Sequence, residues 1–206
     1  WGKFAIALAG MQRIFSAQIA FANSLKTTPY KTKIHLRRRE SFFMKYKAFI
    51  GIGSNLGVPA ENCEKAIRLL KATAEIEVVA QSCLYESEPV GKTDQNWFVN
   101  AVVAIRTSLT AEALLDTVLT IEKDLGRERR EKWGPRIIDL DLLAYEDHVT
   151  SSNDLTLPHP EMTKRRFVLL PLSEFAGDYL HPVENKTIQD LLQELPENPQ
   201  VKKISR

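Results

Sequence analysis

Two aspartates, Asp139 and Asp141, have the residue type and spacing in this chain that best suit a catalytic or metal-binding role. Residues 137–143 alternate apolar and acidic side chains with period two, which is typical of a strand. On a strand the two carboxylates point to the same face, about 6.5–7 Å apart, and repel each other unless a positive group lies between them. Such a pair suits Mg²⁺, which is usually held by one or two carboxylates together with substrate phosphates.

A basic segment lies directly before this strand and supplies the opposite charge. Its cationic side chains are Arg127, Arg129, Arg130, Lys132 and Arg136. Trp133 is embedded among them, and Gly134-Pro135 interrupts the segment. Arginine binds phosphate oxygens through paired hydrogen bonds, so residues 126–143 together suit a metal-bridged polyphosphate. The alternative is an edge strand with one solvated acidic face, and so short a pattern does not decide between the two.

The elements that must position these side chains follow from hydrophobic periodicity. Strands are predicted over residues 46–53, 76–85, 97–106 and 137–143. Helices are predicted over residues 60–73 and between Thr110, as the N-cap, and Gly126, as the stop. The resulting order β-α-β-β-α-β is typical of a ferredoxin-like α+β fold. Farther on, the sequence predicts a rigid turn at 155–160, a short polar helix at 161–166, a helix or strand from Phe167, and a last helix at 188–195.

Composition excludes several classes of protein. The 206 residues are 44% hydrophobic and 26% charged, which is ordinary for one soluble globular domain. Residues 44–206 hold 20 basic and 25 acidic residues, so this body lacks the basic surface of a nucleic-acid-binding protein. No apolar run approaches the roughly 18 residues of a membrane span. Neither a P-loop nor a G-x-G-x-x-G pattern occurs. We therefore expect neither nucleic acid nor membrane as a partner.

Residues 1–43 differ from this body and are predicted to be a poorly ordered N-terminal extension of the domain at 44–206. They carry eight Lys or Arg residues against one acidic residue and end near Arg37-Arg38-Arg39. This composition is similar to that of an organelle transit peptide. The alternative, which we favour, is upstream sequence translated from a misplaced start, with Met44 as the initiator. The favoured alternative predicts a cytoplasmic protein, and the other predicts an organelle.

Six short motifs follow one another along the chain: Gly53-Ser-Asn-Leu-Gly57, Phe98-Val-Asn100, Gly126-Arg127, Trp133-Gly-Pro-Arg136, Asp139-Leu-Asp141 and Leu157-Pro-His-Pro160. Together they resemble the 6-hydroxymethyl-7,8-dihydropterin pyrophosphokinase family of folate biosynthesis, over about residues 47–195. The resemblance implies a ferredoxin-like core with additional C-terminal elements in three αβα layers. It also implies transfer of diphosphate from ATP to the pterin hydroxymethyl oxygen, with release of AMP and with two Mg²⁺ ions.

The resemblance implies a role for each matching residue. The catalytic set is Arg127, Arg136, Asp139 and Asp141, and the two aspartates are also the metal ligands. Phe98 and Phe167 would stack on the pterin, Asn100 would bind its edge, and main-chain groups near Ser87 and Val90 would contact the rest. The implied ATP contacts are Glu122, Arg127, Arg129, Trp133, Arg136, His159 and Arg165. Arg129 and Trp133 lie in a loop that closes over ATP in the family.

Some positions depart from the family or are ambiguous. Phe98 and Glu88 stand where members often carry tyrosine and a second proline, so one hydroxyl is lost and the pterin loop is expected to be more flexible. On sequence grounds alone, Glu122 is a solvated helix-face carboxylate, and Cys63 and Cys83 are buried or half-buried thiols.

Two other functions compete with the kinase. One is a catalytically silent nucleotide- or pterin-binding module of the same fold, which the presence of both aspartates and the arginines disfavours. The other is a small RNA-binding module, which the acidic body disfavours. We expect the protein to be a monomer.

Overall fold

An antiparallel sheet of six strands carries the fold in this computed structural model, which describes residues 44–91, 94–127 and 134–204. The strands, in chain order, are β1 (Tyr46–Ser54), β2 (Ile76–Gln81), β3 (Tyr85–Ser87), β4 (Phe98–Thr107), β5 (Asp139–Tyr145), β6 (Thr150–Ser151), β7 (Thr156–Leu157) and β8 (Val201–Lys203). The order across the sheet is β5-β1-β4-β3-β8, and β2 pairs with the other end of β4. β6 and β7 form a separate two-stranded sheet. The predicted ferredoxin-like order of strands is confirmed.

Helices cover both faces of this sheet. They are α1 (Pro59–Ala72), α2 (Ala111–Asp124), α3 (Arg166–Ala176) and α4 (Ile188–Glu194). Side chains of β1 alternate between the two faces: Ile50 and Ile52 pack against α1 and α2, whereas Phe49 packs against α3 and α4. The predicted three αβα layers are therefore confirmed. No helix of the described residues is long and apolar enough to cross a membrane.

Most element predictions are confirmed, and local chemistry explains the boundaries. The Thr110 hydroxyl accepts a hydrogen bond from the amide of Ala113 and caps α2, and Gly126 follows that helix with a φ of 86°. The predicted strand at 76–85 is wrong in its continuity. Its middle breaks at Ser82. The Ser82 amide still donates to the Val102 carbonyl at 2.9 Å, but the Val102 amide donates to the Ser82 hydroxyl at 3.0 Å, so a side chain replaces one main-chain hydrogen bond of the ladder. Cys83, in this break, is exposed rather than buried, while Cys63 is buried as expected.

The C-terminal third differs more from its prediction. The short polar helix expected at 161–166 is a single 3-10 turn, Met162–Lys164, in which Met162 is fully buried. Arg166 already belongs to α3, and the last helix ends at Glu194. β8 was not predicted, because three residues are too short to display a period of two. The N-terminal extension predicted at 1–43 lies outside the described residues.

Candidate active site

The register of three central strands brings the predicted site residues together. Gly53 of β1 is the partner of Asn100 on β4 and of Asp139 on β5, and Gly51 is the partner of Asp141. Partners in neighbouring strands share a face, so the side chains of Asn100, Asp139 and Asp141 point to the same side of the sheet. β1 lies between them and has only glycine hydrogens at these positions. A Cβ on Gly53 would lie 3.4 Å from the Asn100 Oδ1. The two glycines thus leave room on this face of the sheet.

A cavity of about 340 Å³ occupies this room, between the sheet and the start of α3. Nine residues predicted for the site line it: Ser87, Val90, Phe98, Asn100, Arg136, Asp139, Asp141, Arg165 and Phe167. Three further predicted residues do not line the cavity. Arg127 contacts Asp139, His159 lies near Asp141, and Glu122 contacts Arg127. Arg129 and Trp133 lie outside the described residues, and their predicted contacts with ATP stay predictions.

Asp139 is held between two arginines at the start of β5. Its Oδ1 lies 2.7 Å from the Arg127 guanidinium, and its Oδ2 pairs with Arg136. The three side chains are between 17% and 23% exposed, so the pairs are only partly screened by solvent. The structure therefore places two cations around a carboxylate that opens into the cavity.

Asp141 lies two residues farther along the same face of β5. Burial raises the pKa of its carboxyl, and the nearby charge of Asp139 raises it further. The Arg165 guanidinium, 3.5 Å away, and His159 oppose this effect. The charge of Asp139 thus makes ionisation of Asp141 less favourable, as expected for an acid that shares a cation site with another acid.

His159 lies next to Asp141 but is fixed from behind the cavity. Its amide donates to the Leu143 carbonyl of β5 at 2.8 Å, and its Nδ1 accepts the amide hydrogen of Glu161 at 3.1 Å. Burial lowers the pKa of the imidazole, although the charge of Asp141 opposes this. Because Nδ1 accepts the hydrogen bond from Glu161, the ring hydrogen lies on Nε2.

Glu122 is the main correction to the sequence prediction of the site. It is 2% exposed, not solvated, and it accepts the amide hydrogen of Leu140 at 2.6 Å and a hydrogen bond from Arg127. Burial raises its pKa to about 7, against the opposing effects of these two contacts. The Glu122 carboxylate is buried together with a positive partner, because it pairs with the Arg127 guanidinium. Arg127 also pairs with Asp139, so contacts run without a gap from α2 to the start of β5.

Asn55 is a positioning residue for which sequence reasoning gave no role. It is 1% exposed. Its Oδ1 accepts the main-chain amide hydrogen of Arg136 at 2.8 Å, and its own main-chain amide donates to the Arg136 carbonyl at 3.1 Å. Its Nδ2 donates to the Gln95 side chain at 3.0 Å and to the Asn96 carbonyl at 3.2 Å. One buried amide thus ties the arginine segment to the loop before β4. The available signal was the Gly-Ser-Asn-Leu-Gly motif, in which a polar residue directly follows a buried strand.

The far end of the cavity is aromatic and amide-lined. Phe98 and Phe167 both contribute to its wall, and the Asn100 Nδ2 donates to the Ser87 hydroxyl at 2.8 Å. Asn100 and Ser87 are buried, whereas Val90 is half exposed at the rim. The Arg165 guanidinium lies 5.8 Å from the centre of the Phe167 ring. Arg165 thereby connects this end with Asp141.

The donor set of β5 fits a magnesium ion. Two carboxylates on one face of a strand, with open space beside them, leave the remaining oxygen positions to substrate phosphates and water, as Mg²⁺ requires. No cluster of three His, Cys, Asp or Glu side chains able to hold a metal ion occurs among the described residues. Such a cluster would suit a metal enclosed by protein ligands alone rather than one shared with a substrate.

Comparison with known proteins agrees with this geometry. Residues 49–177 match the family model described as 7,8-dihydro-6-hydroxymethylpterin-pyrophosphokinase. The chain is 46% identical over 149 residues to a 2-amino-4-hydroxy-6-hydroxymethyldihydropteridine pyrophosphokinase of Methylorubrum extorquens, covering 72% of this chain and 93% of that protein. A protein of the same name from Synechocystis is 43% identical, over 72% of this chain and 75% of that protein.

Solved structures share the fold. An HPPK-DHPS chain of Plasmodium falciparum superposes with a TM-score of 0.59 at 18% identity, over 72% of this chain and 44% of that chain. An HPPK-DHPS in complex with substrates gives a TM-score of 0.58 at 14% identity, over 72% and 43%. This chain therefore spans less than half of the length of these solved chains. The family match and the sequence relatives, in contrast, cover most of this domain, and the chain belongs to the 7,8-dihydro-6-hydroxymethylpterin-pyrophosphokinase family.

Proposed function

We propose that the protein transfers the diphosphoryl group of ATP to the hydroxymethyl oxygen of 6-hydroxymethyl-7,8-dihydropterin. The products are the pterin diphosphate and AMP, and the reaction belongs to folate biosynthesis. One observation carries the proposal: Asp139 and Asp141 open into the same cavity as Phe98, Asn100 and Phe167. A phosphate-binding end and an acceptor-binding end thus lie within one space, as a direct transfer between two bound substrates requires.

The bond changes define what the site must supply. The acceptor oxygen forms a bond to the β-phosphorus of ATP, the bond from that phosphorus to the oxygen of the α-phosphate breaks, and AMP leaves with the electron pair. The hydroxyl proton is lost to solvent or to a phosphate oxygen. Phosphoryl transfer depends mainly on positioning and charge stabilisation, so no protein nucleophile is needed.

Three arginines provide the charge at the phosphate end. Arg127 and Arg136 contact Asp139, and Arg165 lies beside Asp141. In the reaction, Arg127 and Arg136 exchange the Asp139 carboxylate for phosphate oxygens, which arginine binds in the same bidentate geometry. Asp139 and Asp141 would hold Mg²⁺, which supplies charge neutralisation at the phosphate oxygens when it is bound.

The acceptor end fits a flat, polar bicycle. Phe98 and Phe167 offer ring faces, and each stacking contact contributes about 0.5–1.5 kcal/mol beyond burial. Asn100 is fixed by its hydrogen bond to Ser87, so its amide is held in one orientation toward the heterocycle edge. His159 is held by its hydrogen bonds to Leu143 and Glu161, which suits positioning of the phosphate end rather than a role as general base.

A direct assay tests this function. The purified full chain is incubated with ATP, Mg²⁺ and 6-hydroxymethyl-7,8-dihydropterin, and the nucleotides are separated by ion-exchange chromatography. We expect AMP in a one-to-one ratio with the pterin diphosphate, and only when both substrates are present. ADP as the product would refute diphosphoryl transfer. Tight pterin binding without any nucleotide product would instead support the silent binding module.

A further inference from the structure

A segment beyond the family match forms part of the cavity. Residues 195–200, here named the C-terminal strap, connect α4 with β8 and lie outside the matched region 49–177. Four of them contribute to the cavity wall: Leu195, Pro196, Asn198 and Pro199. The sequence gives no periodic pattern here. The strap nevertheless encloses the cavity on the side that faces away from β5.

Two residues of the cavity wall hold the ends of the strap. At its start, the Arg166 guanidinium donates to the Leu195 carbonyl at 3.4 Å. At its end, the Glu88 amide donates to the Gln200 carbonyl at 3.1 Å, and the Gln200 amide donates to the Glu88 Oε2 at 2.9 Å. The family resemblance implies a more flexible loop at Glu88. The structure instead fixes this residue through both its main chain and its side chain.

The strand that follows the strap is anchored independently. β8 pairs with β3, with Val201 opposite Ser87. The Glu174 carboxylate of α3 lies 2.6 Å from the Lys203 ammonium and accepts a hydrogen bond from the Tyr85 hydroxyl at 2.7 Å. These contacts join α3, β3 and β8, so the strand at the C-terminal end of the strap is held against the sheet.

We propose that the C-terminal strap fixes the acceptor end of the cavity, with Glu88 and Arg166 as its positioning residues. The inference rests on the function proposed above. Its basis is adjacency: Glu88 follows Ser87, and Arg166 precedes Phe167, so both anchors are chain neighbours of acceptor-site residues. A planar acceptor between two rings needs walls at a fixed distance, and a loose wall has to be ordered again with each binding event. Asp139 and Asp141 lie on β5, at the opposite edge of the sheet from β8, to which the strap leads.

The proposal therefore separates the two substrates. Glu88→Ala removes the acceptor of the Gln200 amide and should raise the KM for the pterin by ~3- to 10-fold, the range given by one ordinary hydrogen bond. The KM for ATP should stay within about twofold. Glu88→Gln keeps a side-chain oxygen as acceptor and should recover most of the loss. Arg166→Ala, with Arg166→Lys as its conservative partner, tests the other anchor in the same way.

A matched control lies one residue before the strap. Glu194→Ala removes an exposed contact with Lys186 at 2.6 Å but leaves both anchors intact, so its kinetics should equal those of the unmodified chain. All variants are measured as full chains for AMP release over a grid of both substrate concentrations, with thermal melting to verify folding.

The outcomes separate this inference from the proposed function. Absence of AMP with the unmodified chain would refute the function itself. If that chain is active, an unchanged pterin KM in both Glu88→Ala and Arg166→Ala would overturn the strap proposal. Equal increases in the KM of both substrates would also overturn it, as would equal impairment of Glu88→Ala and Glu88→Gln.

Discussion

Replacing Glu122 with glutamine should make the protein less active and, above neutral pH, relatively more stable. The carboxylate is 2% exposed, and its pKa is raised from 4.5 to about 7, mainly by burial. Because the folded state binds this proton more strongly than the unfolded state, the contribution of Glu122 to stability is fully present below pH 4.5 and is lost as the pH rises through about 7. Glutamine cannot ionise, so it does not carry this pH-dependent loss.

The magnitude follows from the displacement of the pKa. Each pKa unit corresponds to about 1.4 kcal/mol, so ionisation of Glu122 in the folded state costs about 3 kcal/mol. Between pH 5 and pH 8, the unfolding free energy of Glu122→Gln should therefore rise by about 2.5 kcal/mol relative to that of the unmodified chain. Activity should fall at the same time, since a neutral amide holds the Arg127 guanidinium less firmly in position at the phosphate end of the cavity.

Urea denaturation at pH 5, 6, 7 and 8, followed by circular dichroism, measures the unfolding free energy. AMP release at pH 8 measures the activity. Asp116→Asn is the matched control, because it removes an exposed carboxylate from the same helix without a contact to Arg127. Parallel stability curves for Glu122→Gln and the unmodified chain would refute the assignment of a raised pKa. Full activity of Glu122→Gln would refute the role of Glu122 in positioning Arg127.

The remaining predictions concern the two ends of the cavity. Asp139→Ala and Asp141→Ala should each lower the turnover number by at least ~100-fold, since each removes a charge from the phosphate end, while pterin binding measured by fluorescence titration stays nearly unchanged; near-full activity of either variant would contradict the metal assignment. Asn55→Ala should lower kcat/KM by about 10- to 100-fold, because the Arg136 amide loses its buried partner. A lower melting temperature with unchanged kcat/KM would argue against this positioning role. Phe167→Ala should raise the pterin KM by at least about threefold through lost stacking and leave the KM for ATP unchanged, which steady-state kinetics can separate.

The sequence determined those features that depend on local periodicity and local caps. The alternation at residues 137–143 placed Asp139 and Asp141 on one face, and burial of Leu140 and Leu142 on the other confirms this. Phe98 and Asn100, two residues apart on β4, likewise both contribute to the cavity wall. These predictions hold because a strand has only two faces and the face that packs against the core carries apolar side chains.

Only the tertiary structure decided where polar residues without a local pattern would lie. Glu122 could not be recognised as buried, because its partners, Leu140 and Arg127, come from a distant strand and from the segment after the helix. The C-terminal strap gave no periodic signal, and its role depends on Glu88, which lies 112 positions earlier in the chain than Gln200. Burial of a charge or an amide is stabilised by partners that only folding brings within hydrogen-bond distance, so the sequence determined the faces of the strands and the tertiary structure determined the contacts between them.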